Sequence, residues 1–92
     1  MIQSFACDET EALFQSKPVR RFKNIEQVAR RKLLMLHAAV ELVNLRIPPG
    51  NRLEALKGNR KDLHSIRIND QWRLCFTWQN NGACGVQIVD YH

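Results

Sequence analysis

The sequence predicts an α+β domain, in which two N-terminal helices pack on one face of a small, mostly antiparallel sheet. Apolar residues recur at helical spacing between Ile25 and Leu45. After Gly50 the apolar period changes to two, as in half-buried strands, and Asn80-Asn81-Gly82 is typical of a hairpin turn. Helices followed by hairpin-connected strands are characteristic of α+β architecture.

The first elements are a short strand and a short helix. Ile2 to Ala6 is predicted to be a strand, with Ile2 or Phe5 as its anchor. Asp8 is a candidate N-cap, with Glu11 in the capping-box position three residues later. The helix is predicted over 9–15, and Lys17-Pro18 ends it because a residue before proline avoids the helical region.

The second helix is predicted from about Ile25 to Leu45. Asn24 is its candidate N-cap, and Pro48-Pro49-Gly50 stops it. Its apolar stripe leaves the cationic run Arg30, Arg31 and Lys32 mostly on the other side.

Four further strands are predicted, over 52–56, 63–68, 72–78 and 85–91. Trp72, Leu74, Phe76 and Trp78 alternate with polar or small residues, so one face of that strand is buried. If this apolar face packs on the helices, then Arg67, Arg73 and Thr77 point the other way. The open face of the sheet is therefore expected to be basic.

Length and charge limit the functional classes. Ninety-two residues are expected to form one domain spanning 1–92. Fourteen Lys and Arg against nine Asp and Glu give a net charge of +5. That charge favours a polyanionic partner, namely nucleic acid, an acidic protein or an anionic membrane surface, although solubility alone also accounts for it.

The compartment is predicted to be the cytoplasm. Three cysteines without a CxxC pair suit a reducing environment. The N-terminus lacks the features of a signal peptide, and no apolar run approaches the ~20 residues of a membrane span. We therefore expect no membrane association.

The last three residues, Asp90-Tyr91-His92, combine an acid, a phenol and an imidazole after a strand-like run. Groups of these three types can serve as general acid, general base and hydrogen-bond donor in a catalytic site. No compact carboxylate cluster is visible that would hold a metal, so neither a metal nor a cofactor is expected. A frayed and inert terminus is the alternative interpretation.

The chain resembles the HigB toxins of the RelE/ParE superfamily of bacterial toxin–antitoxin systems. The resemblance extends over essentially the whole chain and is carried by Arg52-Leu53-Glu54-Ala55-Leu56-Lys57-Gly58, His64-Ser65-Ile66-Arg67-Ile68-Asn69, Gln71-Trp72-Arg73-Leu74-Cys75-Phe76 and Val89-Asp90-Tyr91-His92. It implies a RelE-like fold and a ribosome-dependent endonuclease that cuts mRNA on the 70S ribosome. It also implies a HigA-like helix-turn-helix antitoxin, through which alone the toxin would reach operator DNA.

The resemblance also implies a site. Its catalytic positions are matched by Lys57, Arg73, Asp90, Tyr91 and His92. RNA-binding positions are assigned to Arg67, Gln71 and Glu54. Some relatives have a histidine where this chain has Glu54, and the role of that carboxylate stays open.

Two other functional classes are compatible with the sequence. One is a noncatalytic inhibitor that binds a target protein, as the ParE branch of the superfamily is understood to do with gyrase. The other is a plain basic module that binds nucleic acid. Proton-transfer groups at the C-terminus favour the nuclease, because an inhibitor does not need them.

Overall fold

Two α-helices and a four-stranded sheet form the described part of the computed structural model, which comprises residues 1–55 and 62–90. The elements in chain order are α1 (Asp8–Phe14), α2 (Glu26–Ala38), β1 (Glu54–Ala55), β2 (Leu63–Arg67), β3 (Trp72–Gln79) and β4 (Gly82–Asp90). Three 3₁₀ helices span Arg20–Ile25, Leu42–Arg46 and Pro49–Asn51.

The sheet has the order β1-β2-β3-β4, and each neighbouring pair is antiparallel. Ile66, Leu74 and Ile88 lie side by side across three strands. All three are buried in one core cluster with residues of α2 such as Leu33 and Leu36. The predicted α+β architecture, with the helices against one apolar face of the sheet, is therefore confirmed.

The N-terminal segment pairs with β4 only at two isolated parallel bridges, Ile2 with Ala83 and Phe5 with Val86. A bulge in β4 lies between these bridges, because the register with β3 shifts by one residue there. Gly85 provides the extra residue in a left-handed conformation, with φ +59°, and its N–H bonds to Ser4 Oγ at 2.8 Å. The predicted continuous strand over 2–6 is therefore wrong.

The second helix ends at Ala38, seven residues before the predicted end at Leu45. Ala39 has an extended backbone, and the N–H groups of Val40 and Glu41 bond to Oδ1 of Asn44. Side chains of Asn compete in this way with helical hydrogen bonds. Asn44 therefore closes a capping box that starts a separate 3₁₀ helix.

Neither predicted N-cap is used. Cys7 caps α1 without a side-chain hydrogen bond, so Asp8 is the first helical residue rather than the cap. Asn24 lies within a 3₁₀ helix, and Ile25 is the N-cap of α2. Carboxylates in the first turn of α1 still interact favourably with the positive end of the helix dipole.

Strand boundaries differ from the predictions at both ends of the hairpin region. Among the described residues β1 is Glu54–Ala55, and it begins two residues after the predicted start because Arg52 has a left-handed backbone, with φ 46° and ψ 57°. Leu56, the predicted end of this strand, lies outside the described residues. The predicted turn at Asn80-Asn81 is confirmed, with φ 53° and 61°, and β4 begins directly after it at Gly82.

Thr10 attaches α1 to β4. Its side chain is fully buried, and its Oγ1 accepts a hydrogen bond from the Ile88 N–H at 3.0 Å. Thr10→Val preserves the shape but leaves that N–H without this acceptor, which costs about 1–3 kcal/mol. We expect urea denaturation to show a free energy of unfolding lower by that amount. Thr10→Ser retains the hydroxyl, and an equal loss in both variants would contradict the role of this hydrogen bond.

Candidate functional site

The sheet face opposite the helices carries the predicted cations. Residues that pair across antiparallel strands project to the same side. Arg67 pairs with Arg73, and Arg73 pairs with Val89. The same side holds a second row, in which Glu54 pairs with Ser65, Ser65 with Cys75 and Cys75 with Gln87. We call this surface the Arg73 face.

Arg73 lies on the predicted side of the sheet, but its side chain is buried rather than solvated. It is 6% exposed. Its Nε donates to Ser65 Oγ at 2.9 Å, and its Nη2 donates to the Arg52 carbonyl at 2.7 Å and to the Ser65 carbonyl at 3.4 Å. Several fixed acceptors therefore hold the guanidinium across β2, toward the turn that precedes β1.

A carboxylate lies beside this cation. Glu54 Oε2 is 3.9 Å from Arg73 Nη2, and the Glu54 side chain is 52% exposed. Glu54 therefore meets solvent while it offsets part of the Arg73 charge. Arg67, also on this face, forms an ion pair with Asp70 in the turn before β3.

Asp90 lies on the other side of the sheet from Arg73. It pairs with Trp72, whose ring packs edge-on against Phe22 of the helical layer with 5.5 Å between ring centroids. Asp90 is exposed, and its Oδ2 accepts a hydrogen bond from Gln71 Nε2 at 3.1 Å. Arg73 and Asp90 are thus neighbours along the backbone pairing, but their side chains project to opposite faces.

Three predicted catalytic residues, Lys57, Tyr91 and His92, lie outside the described residues. The described candidates therefore comprise the Arg73 face, with Glu54 and Arg67, and a separate pair, Gln71 and Asp90, at the end of the sheet.

Lys32 is an ionisable residue near the site that the sequence did not indicate. Its Nζ donates to Oδ1 of Asn51, a fully buried side chain directly before Arg52. Burial lowers the pKa of Lys32, and the charges of Arg31 and Arg67 lower it further. The spacing of Ile25, Ala29, Lys32 and Leu36 places Lys32 on the apolar stripe of α2, and this spacing was the available signal.

Neither a metal cluster nor a membrane span is found within 1–55 and 62–90. No three His, Cys, Asp or Glu side chains are grouped there so as to hold an ion. No helix among those residues is long and apolar enough to cross a bilayer.

Comparison with known proteins gives consistent matches. The family model described as "RelE-like toxin of type II toxin-antitoxin system HigB" matches residues 3–92. Toxin HigB-1 of Vibrio cholerae serotype O1 is 54% identical over 65 residues, which are 71% of this chain and 68% of that protein. An uncharacterized protein of Haemophilus influenzae is 41% identical over 58 residues, 63% of this chain and 57% of that protein.

A solved structure shows the same fold. The YoeB-YefM complex from Staphylococcus aureus contains a chain that superimposes with a TM-score of 0.61 at 20% identity, covering 100% of this chain and 98% of that one. The match of the family model over nearly the full length, together with the identity to Toxin HigB-1, establishes the family. The chain belongs to the HigB-like toxins, the RelE-like toxins of type II toxin–antitoxin systems.

Proposed function

We propose that this toxin is an endoribonuclease that cuts mRNA on the 70S ribosome and thereby stops translation. The reaction proceeds without a metal, through attack of an RNA 2′-hydroxyl on the adjacent phosphate. The observation that carries the proposal is the fixed, buried guanidinium of Arg73 on the sheet face opposite the helices.

Such a guanidinium suits the charge that develops during RNA cleavage. The phosphorane-like transition state gains negative charge on its non-bridging oxygens, which preorganised donors stabilise without further reorganisation. Arg73 is held by Ser65 and the Arg52 carbonyl, so its orientation is set before RNA binds. Its low exposure also reduces screening by water, which strengthens its field at a phosphate on this face.

The remaining catalytic roles belong to residues with suitable proton chemistry. His92 transfers a proton, since an imidazole changes its charge near neutral pH. Asp90 orients a neighbouring group or shares in that proton transfer, and Tyr91 contributes its hydroxyl or stacks on a base. Lys57 supplies a second cation for the phosphate. These four assignments rest on the match to the family motif.

RNA is contacted by Arg67, Gln71 and Glu54. Arg67 lies on the Arg73 face, where its ion pair with Asp70 at the strand end orients it. Glu54 carries a charge that repels phosphate, so we assign it to a base edge, and its 52% exposure allows such a contact. Gln71 is exposed beside Asp90 and offers an amide to the RNA.

The proposed partners are an antitoxin, mRNA and the ribosome. The similar solved chain comes from a complex of YoeB with YefM, and the family is that of toxins of type II toxin–antitoxin systems. Both findings support an antitoxin partner, which we propose to be a HigA-like helix-turn-helix protein that neutralises the toxin. We propose that residues 1–92 act as one cytoplasmic toxin domain that contacts operator DNA only through this antitoxin. The net charge of +5 supports binding to ribosome-bound RNA.

Primer extension on mRNA after induced expression of the toxin tests this function. Wild type is expected to produce cuts within translated codons, and His92→Ala is expected to remove them because proton transfer contributes about 10²–10⁴-fold. His64→Gln is the matched control, since its half-buried imidazole lies beside Phe76 in the sheet. Growth arrest without cuts would contradict the nuclease and favour a ParE-like gyrase inhibitor.

A further inference from the structure

The turn between the 3₁₀ helices and β1 is fixed by one buried amide. Asn51 is fully buried. Its Nδ2 donates to the Leu45 carbonyl at 3.0 Å and lies 3.0 Å from Met35 Sδ and 3.5 Å from the Ile47 carbonyl. Its Oδ1 accepts from Lys32 Nζ on α2. One side chain therefore joins the helix to the segment that leads to β1.

Arg52, the next residue, presents its carbonyl to Arg73. Its backbone is left-handed, with φ 46° and ψ 57°, a conformation that non-glycine residues adopt only where surrounding contacts impose it. The imposing contacts are the bonds from Asn51 N to the Pro48 carbonyl and from Arg52 N to the Pro49 carbonyl, together with the Asn51 side chain. The carbonyl of Arg52 then accepts from Arg73 Nη2 at 2.7 Å.

We propose that Asn51 is a positioning residue for Arg73. It fixes the turn at residues 49–52, and that turn presents the carbonyl that orients the guanidinium. The inference rests on the proposed function, in which Arg73 stabilises the reacting phosphate. It links α2 to the site through the series Lys32, Asn51, Arg52 and Arg73.

An amide is the group that this position requires. It donates to main-chain carbonyls with its nitrogen and accepts from a lysine with its oxygen. A carboxylate at residue 51 pairs with Lys32 but has no donor for the Leu45 carbonyl. Asn51→Asp therefore keeps the size of the side chain and breaks the attachment of the turn.

The effect of Asn51 on catalysis is measured as the single-turnover rate at which the toxin cleaves a short mRNA bound to purified ribosomes. We expect Asn51→Asp to lower the maximal rate by up to about 10²-fold, because small misplacements of a catalytic group have effects of that size. The toxin concentration at half-maximal rate stays unchanged. In an Arg73→Ala background the same substitution is expected to have no further effect, since both changes act through one group.

The rate at which the Arg73 Nε–H exchanges with water, measured by NMR, reports how firmly the guanidinium is held. This measurement does not depend on catalytic activity. We expect slow exchange in wild type, where this group donates to Ser65 Oγ in a buried site. Asn51→Asp is expected to accelerate it about 10-fold or more. Lys32→Met removes the hydrogen bond from Lys32 to Asn51, and the Lys32 side chain is half-exposed. We therefore expect a smaller acceleration of exchange in this variant. If Asn51→Asp fails to fold, Lys32→Met provides the test instead.

Arg31→Met is the matched control, because it removes one charge from the adjacent, exposed position of α2. It is expected to change neither the rate nor the exchange. Unchanged Nε–H exchange in Asn51→Asp and Lys32→Met would overturn the positioning, as would an equal loss of rate in the wild-type and Arg73→Ala backgrounds. Absence of cleavage by wild type would instead overturn the proposed function and the expected effect of Asn51 on the rate. The exchange rates would still show whether Asn51 positions Arg73, so the two failures can be told apart.

Discussion

Arg73→Ala is expected to lower the rate of mRNA cleavage on ribosomes on the order of 10²–10³-fold. This is the typical loss when one preorganised donor to a developing oxyanion is removed. The guanidinium is buried and held by Ser65 and the Arg52 carbonyl, and Arg73→Ala removes all of its donors from this position. The measurement is the single-turnover rate at saturating toxin, compared with wild type.

The same substitution also affects folding, and the design must separate the two effects. Loss of the guanidinium leaves Ser65 Oγ and the Arg52 carbonyl without this donor, which costs about 1–3 kcal/mol. Thermal unfolding monitored by circular dichroism therefore defines the temperature at which all variants are folded and the rates are compared. Arg73→Lys keeps the charge but loses the planar fork, so its rate is also expected to fall strongly.

Arg31→Ala provides the control for the loss of one positive charge. Arg31 is exposed on α2, and the net charge of the variant equals that of Arg73→Ala. A rate within about twofold of wild type is expected, because an exposed single charge is screened by salt. Equal losses in the two variants would show that total charge, rather than the placed guanidinium, supports cleavage.

The fold was predictable from the sequence because its main signals are periodic. The alternation of Trp72, Leu74 and Phe76 identified the strand and the face that packs toward the helices, and the register with β2 and β4 confirms both. The opposite face was expected to be open, but Arg73 and Cys75 are buried there as well. Boundaries were less predictable, because they depend on single side chains with tertiary partners. Asn44 accepts hydrogen bonds from two main-chain N–H groups just after the end of α2. The apolar stripe of α2 does not indicate this interaction, so it could not show where the helix ends.

The surroundings of Arg73 were not predictable from alternation. Alternation gave its side of the sheet, but its burial depends on Ser65 across the sheet and on the Arg52 carbonyl from a turn. The left-handed backbone at residue 52 could not be predicted, because glycine or asparagine is the usual residue in that conformation and the sequence has an arginine there. Lys32 is a similar case, because it was expected to lie mostly away from the apolar stripe of α2, whereas its Nζ binds the buried side chain of Asn51.

The placement of Asp90 opposite Arg73 bears on the proposed mechanism. Two groups on opposite faces of one sheet do not contact the same phosphate oxygen. In the proposed mechanism, Asp90 therefore acts on the RNA through another group or on another part of the RNA. Its hydrogen bond with Gln71 joins it to a residue that we assign to RNA binding. The phosphate itself is then assigned to the cations and to the imidazole of His92.

Replacing the single 2′-hydroxyl beside the cut phosphate by hydrogen is expected to abolish cleavage at that bond. In the proposed reaction this RNA oxygen attacks phosphorus, and no group of the protein takes its place. The effect is larger than that of any side-chain change, because it removes the nucleophile rather than a group that assists it. Cleavage elsewhere in the same mRNA serves as the internal control.

The most direct measurement uses purified toxin, ribosomes programmed with a defined mRNA, and an otherwise identical mRNA with one 2′-deoxynucleotide at the cut position. We predict that the all-ribose mRNA is cut to give a 2′,3′-cyclic phosphate and a 5′-hydroxyl, and that the deoxy-substituted bond stays intact. Cleavage of the deoxy-substituted bond at the same rate, or products that carry a 5′-phosphate, would contradict attack by the sugar oxygen.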